Sequence, residues 1–229
     1  MHSFVRHFHS PASEAQTQET KGLVQKGGWY YDLGIWFIDT FVFRSQVRDM
    51  RQKTATLAHI QPGEQVLDVG CGTGTLAIEV AQLVGSAGYV VGIDPGKEQI
   101  ARARAKAARR HMPIEFHIGV IEQIPLPDQS LNVVLSTLMM HHLPTPLKLQ
   151  GLAEIVRVLK PGGRLVLADF KRKQERQGQA IHFHAGGSNI HDLAAIVAKA
   201  GFESVETEEM KPRRFSSFPG AGFVYAYKS

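Results

Sequence analysis

The chain has 229 residues, 43% hydrophobic and 21% charged, the proportions of an ordinary folded domain and not of a disordered or fibrous one. Its single cysteine excludes a disulfide framework or a four-thiolate metal centre and favours a reducing, cytoplasmic setting. A net charge of +5 leaves a nucleic-acid or anionic-surface partner open, but no stretch reaches the roughly 18 apolar residues of a spanning helix.

Residues 1–28 are polar and His-rich without periodicity, so a flexible arm is expected there, and Met1 to Gln16 lacks the apolar run of a secretory signal. Over residues 29–60 two helices are expected. The first is strongly aromatic (Trp29, Tyr30, Tyr31, Trp36, Phe37, Phe41, Phe43), and together they read as a helical lid able to shield a reaction from water, the alternative being plain packing onto the sheet domain. Pro62-Gly63 marks a turn. A third unit, 61–229, alternates strands and helices, the pattern of a parallel sheet covered on both faces. Strands are expected near 65–69, 89–93, 114–117, 131–136 and 163–169, with helices near 74–84, 97–110 and 147–159. A helix near 189–200 and two antiparallel strands near 202–208 and 221–228 close the domain. Along 97–110 the charges Arg102, Arg104, Lys106, Arg109 and Arg110 alternate with Ile100, Ala103 and Ala107, which predicts a core-packed helix with a solvated outer face.

The run Val66 to Gly74, VLDVGCGTG, carries the chemistry. A hydrophobic strand enters a turn with glycines at alternate positions, a helix follows, and the next strand closes on Asp94. Glycines allow close approach of backbone to ligand, the helix N-terminus offers unpaired N–H groups, and the carboxylate can accept from both hydroxyls of a ribose. The alternative for Asp94 is a helix cap before Pro95. A nicotinamide-type G-x-G-x-x-G would need its third glycine at position 75, where Thr75 stands, which disfavours a dehydrogenase.

VLDVGCGTG, followed by GID at 92–94, GVIEQIPLPDQSLNVVLS at 119–136, HHLP at 141–144 and LKPGGRLVLADF at 159–170, resembles the class I S-adenosylmethionine-dependent methyltransferases, and is similar to their quinone and sterol branch. The resemblance implies a Rossmann-like α/β fold, doubly wound and mostly parallel, with seven strands of which the last is antiparallel. It implies S-adenosylmethionine as cofactor, with Asp68 and the amides around Gly70, Gly72 and Thr73 at its methionine end. Asp94 would clamp the ribose, Val120 and Ile121 would flank adenine, and Ser136 would border the substrate pocket. An Asp or Asn is common in the family where Val120 stands, so backbone groups and apolar packing carry more of adenine recognition here.

His142, matching the more persistent histidine of the HHL segment, is the candidate general base; the alternative is a loop brace. Tyr30, Tyr31, His182 and His184 are candidate acceptor-side residues. No metal is expected, since adjacent histidines seldom converge on one ion. Methyl transfer is an in-line displacement needing alignment and water exclusion but no covalent nucleophile, and Cys71 belongs to the glycine loop. The expected partner is therefore a small, partly apolar acceptor. Nucleic acid is disfavoured and peripheral membrane contact stays open. The alternatives are an RNA methyltransferase, or a cofactor-binding regulatory protein without turnover.

Overall fold

The computed structural model describes residues 45–171 and 190–229, so the expected arm at 1–28 and the aromatic helix after Trp29 lie outside the described residues. The elements run α1 (Gln46–Leu57), β1 (Gln65–Val69), α2 (Thr75–Val84), β2 (Tyr89–Asp94), α3 (Lys97–Arg109), β3 (Ile114–Ile118), β4 (Leu131–Thr137), a 3-10 turn (Met140–His142), α4 (Thr145–Val158), β5 (Leu159–Phe170), α5 (Ile190–Lys199), β6 (Phe202–Met210) and β7 (Ala221–Lys228). The seven strands form one sheet in the order β3-β2-β1-β4-β5-β7-β6. Strands β1 to β5 are parallel, and β7 runs antiparallel between β5 and β6. This is the doubly wound mixed sheet expected from the sequence.

The central strands are β-branched and apolar because both faces are covered. On one face Leu67, Val69, Ile93 and Val134 pack against Leu152 and Ile155 of α4 and Leu193 and Val197 of α5. On the other, Val66, Val90 and Leu135 meet Ile78 and Val80 of α2 and Ile100 and Ala103 of α3. The register sets Asp68 of β1 beside Gly92 of β2 and Leu135 of β4, so the carboxyl ends of β1, β2 and β4 open together. The order reverses beside β1, the crevice in which open α/β sheets take ligands.

One local departure from the sequence reading has a physical cause. Helix α4 stops at Val158 and β5 begins at once, because Lys160-Pro161-Gly162-Gly163 is absorbed as an irregularity within the strand. Within the span expected to be a lid, α1 packs on the sheet. Val47 and Met50 are buried against Ala168, Phe218, Ala221 and Phe223, and the Arg164–Glu64 ion pair fastens the following turn. Residues 46–57 thus form part of the sheet domain's own covering layer, and the aromatic segment of the lid expectation lies outside the described residues.

Candidate functional site

The glycine loop is held by its own hydrogen bonds. The N–H groups of Gly70 and Cys71 donate to the Ile93 carbonyl at 2.8 and 3.0 Å, and Gly74 N–H donates to the Cys71 carbonyl at 2.9 Å. Gly72 N–H donates to Asp94 Oδ2 at 3.0 Å. The amides of Gly70 and Gly72, expected from the resemblance to face the methionine end, are therefore committed inside the protein. Among the described residues, no acceptor meets the Thr73 N–H. Gly72 sits at φ +52° and a Cβ there would meet nothing within 4 Å, so a backbone conformation costly to other residues faces open space. Gly74, at φ +72°, has another reason to be glycine: a Cβ would lie 2.7 Å from the Phe116 ring and 3.0 Å from Ala103 Cβ.

One α3 cation departs from the solvated-face expectation. Lys106 Nζ donates to Thr73 Oγ1 at 2.8 Å and to Thr75 Oγ1 at 3.1 Å, tying α3 to the loop and the start of α2. Arg104 Nε donates to the Phe116 carbonyl at 3.0 Å. Lys106→Met should cost about 1–2 kcal/mol, the net worth of two ordinary hydrogen bonds. Urea denaturation checks this, and an unchanged midpoint would return Lys106 to the solvated face.

Asp94 ends β2. Its Oδ1 accepts from Gly96 N–H at 2.8 Å and its Oδ2 from Gly72 N–H. Helix α3 itself is capped at Gly96 without a side-chain bond, so Asp94 braces the approach to the helix from outside the cap position. A carboxylate has about four acceptor sites. With two used internally, one per oxygen remains, the number a ribose diol requires. Burial pushes its pKa up, with the two backbone donors acting against the rise.

Asp68 lies one residue from the end of β1, 1% exposed, and neither carboxylate oxygen has a hydrogen-bonding partner among the described residues. Desolvation pushes its pKa up to about 7; the Ala77 amide opposes this, while the neighbouring Asp94 charge adds to it. A buried carboxyl group eased only by the Ala77 amide and the Arg51 charge is costly, and one beneath the glycine loop fits a cation in that loop. Cys71 is also buried, and burial with the Asp68 and Asp94 charges holds its thiol well above the ordinary range, which removes it as a nucleophile.

Of the expected adenine pair, Ile121 is turned into the core, where a Cβ on Gly151 of α4 would come within 2.6 Å of it. Its side chain is not available to a ligand, so only its backbone could contribute. Val120 is partly exposed and bridges to Gln123. The sequence reading missed Ile118, which pairs with Asp94 in the β2–β3 register and is 42% exposed. Its signal was available as an apolar residue ending β3 beside Asp94. Ser136 is buried one residue before the end of β4, its hydroxyl without a partner among the described residues. Asn132, given no role from sequence, lies at the opposite end of β4, accepting from Gln65 N–H and Lys160 Nζ, both at 3.1 Å.

Beyond β4 the chain turns through Leu138 at φ +55°, whose N–H donates to the Ala168 carbonyl at 2.8 Å. A left-handed leucine is uncommon and marks an over-determined turn. It brings Met139 so close to Gly70 that a Cβ there would lie 2.4 Å from Met139 Cγ. His141 and His142 follow at once, with ring centroids 3.9 Å apart. The structure separates the two. His142 has a buried Nδ1 without a partner among the described residues, so the hydrogen-bonded brace weighed for it is absent at that atom. Burial lowers its pKa, helped by His141 and opposed by Asp169. His141 instead is bound to buried Asp169 near the end of β5, Nδ1 to Oδ1 at 2.6 Å, a contact unanticipated from sequence. Lys148 of α4 is also buried; burial lowers its pKa while the Asp169 and Asp192 charges raise it. Tyr30, Tyr31, His182 and His184 lie outside the described residues. Among the described residues no three His, Cys, Asp or Glu side chains converge as a metal site.

Comparison with known proteins agrees with this geometry. Residues 66–163 match the family described as Methyltransferase domain. The chain is 36% identical over 157 residues to an arsenite methyltransferase of Halobacterium salinarum, covering 65% of this chain and 40% of that one. It is 36% identical over 121 residues to a demethylmenaquinone methyltransferase of Listeria welshimeri, covering 52% and 50%. The chain thus spans about half or less of the length of these curated relatives. Among solved structures, a SAM-dependent methyltransferase from Aquifex aeolicus superposes with a TM-score of 0.65 at 25% identity, covering 78% of this chain and 89% of that one. The sheet order, the loop above Asp68 and Asp94, and these matches converge on one likeness: residues 66–163 match a methyltransferase domain, and the chain is similar in sequence and fold to Rossmann-like S-adenosylmethionine-dependent methyltransferases.

Proposed function

We propose that this chain transfers the methyl group of S-adenosylmethionine to a small, partly apolar acceptor at the carboxyl ends of β1, β2 and β4. The observation that carries the reading is the pair of carboxyl groups under one loop, Asp68 buried and Asp94 half-buried. Asp94 retains one acceptor site per oxygen for a ribose diol, and Asp68 offers a buried carboxyl beneath a loop that would receive a cationic ligand. Exposed Ile118 adds an apolar surface beside Asp94 for a flat base. The Thr73 amide and the Asp68 carboxyl beneath the loop suit the amino-acid end. Bound there, S-adenosylmethionine supplies an activated methyl; the protein's task is to orient the acceptor in line and exclude water.

The acceptor side rests on composition, with Tyr30, Tyr31, His182 and His184 as its candidates. Two of the relatives are named for arsenite and for demethylmenaquinone. Trivalent arsenic is a soft centre suited to thiolates, and this chain has one cysteine, buried in the loop, which favours the quinone-like alternative. An RNA acceptor finds less support, because the charge behind it is partly engaged: Lys106 holds the loop and Arg213 pairs with Asp49. No described helix is long and apolar enough to cross a membrane. The single cysteine supports a cytoplasmic setting.

Calorimetric titration with S-adenosylmethionine, S-adenosylhomocysteine and NAD in parallel tests the reading. Binding of both sulfur compounds and not NAD is the expected result. Binding of NAD alone, or of none, would overturn it. Binding without transfer to any quinol, phenol or amine acceptor would favour a regulatory role.

A further inference from the structure

The residue best built to take a proton from the acceptor is His141, not the neighbouring His142. Asp169 is buried, and every contact described for it comes from a donor: His141 N–H to Oδ2 at 2.8 Å, Phe170 N–H to Oδ1 at 2.8 Å, and His141 Nδ1 to Oδ1 at 2.6 Å. A carboxylate so surrounded only accepts, so the ring nitrogen facing it carries the hydrogen. That fixes the neutral tautomer with Nδ1 protonated and leaves the Nε2 lone pair as a base. The same Asp169 holds both the ring and the backbone amide of His141, so neither rotation nor a loop shift moves one without breaking the other. The side chain is 11% exposed, sheltered but not sealed.

Its surroundings indicate the acceptor. The His141 ring lies against His142 and, at 5.8 Å between centroids, against Phe170, which meets Phe218 edge-on at 5.8 Å. The segment starts at Met139, packed on Gly70 of the glycine loop, so His141 follows two residues after a direct contact with that loop.

Resting on the proposed methyl transfer, we infer that His141, held by Asp169, is the general base for a phenolic or enolic hydroxyl acceptor. The acceptor's O–H proton passes to His141 Nε2 as its oxygen forms a bond to the methyl carbon. The carbon–sulfur bond breaks, and its electron pair returns to sulfur as a neutral thioether. One positive charge leaves the sulfonium and one appears on the imidazole, beside the Asp169 carboxylate. The proton then leaves to solvent. His141 is the catalytic residue and Asp169 its positioning residue.

The test uses the whole chain, S-adenosylhomocysteine calorimetry, and transfer of labelled methyl from S-adenosylmethionine to naphthol and naphthohydroquinone. His141→Ala should keep S-adenosylhomocysteine affinity within about twofold and lose about 100-fold in transfer, at the low end of general-base contributions. In heteronuclear NMR of the imidazole nitrogens at about pH 8, wild-type His141 should carry its proton on Nδ1. Asp169→Asn should invert that tautomer and slow transfer at least tenfold, roughly the least expected from misplacing a general base's proton. Unaltered transfer in His141→Ala, a wild-type proton on Nε2, or no transfer to either hydroxyl probe by protein that binds S-adenosylhomocysteine would each overturn the base assignment. Failure of the wild type to bind S-adenosylhomocysteine would instead remove the methyl-transfer reading itself, and the base role with it.

Discussion

Asp94→Ala should weaken S-adenosylhomocysteine binding by roughly 300-fold, the equivalent of two hydrogen bonds to a charged group at about 1.5–3 kcal/mol each with some internal compensation. The carboxylate acts in two ways. Its bond to Gly72 N–H holds the loop's open glycine in place, and its bond to Gly96 N–H fixes the approach to α3. Its remaining acceptor sites face the proposed ribose. Because a structural brace and a ligand clamp could both fail in the alanine variant, Asp94→Asn separates them. Its amide oxygen can still brace one N–H but cannot serve two braces and two hydroxyls. A clamp predicts loss of affinity in both variants with urea midpoints little changed in the asparagine one. A brace alone predicts parallel loss of stability and affinity, with S-adenosylhomocysteine affinity recovering wherever the fold does.

The sheet was legible because buried parallel strands have few alternatives. VLDV, YVVGID and NVVLS are runs too short for helices and too apolar for the surface, and each is a strand. Asp68 and Asp94 were legible as carboxylates at strand ends, a position fixed by local sequence. What escaped the sequence depends on pairing between distant elements. Asp169 and His141 are 28 residues apart, and their contact requires the β4–β5 register together with the left-handed turn at Leu138. Two adjacent histidines are also indistinguishable by spacing; which one turns toward β5 is decided in the 3-10 turn. Lys106 looked like any solvated lysine, because its partners Thr73 and Thr75 lie across a crossover. The direction of the Ile121 side chain was equally hidden. The lack of a side chain at Gly151, 30 residues on, leaves the core space that it fills.

Asp68→Asn should make the protein more stable and bind its cofactor less well. In the folded chain the carboxyl has a pKa of about 7 against an ordinary value of 3.8. Below the ordinary value it is protonated folded or unfolded, and burial costs little. As pH rises the unfolded chain ionises first, and the folded state follows only near neutrality, so stability falls across that window and stays low above it. At about 1.4 kcal/mol per unit the loss approaches roughly 4 kcal/mol. Urea unfolding should therefore show the asparagine variant ahead by about 2–4 kcal/mol at pH 8 and nearly level at pH 4. A bound sulfonium and ammonium would favour the ionised carboxylate, so S-adenosylmethionine binding near pH 6.5 should release a proton from the wild type and not from the variant. Calorimetry in two buffers of different ionisation enthalpy measures that release. A variant that gains stability yet binds with unchanged affinity and unchanged proton release would assign Asp68 to the start of α2 alone. Loss of both would mean that the fold keeps a destabilising group under the loop because the cofactor's charge requires it.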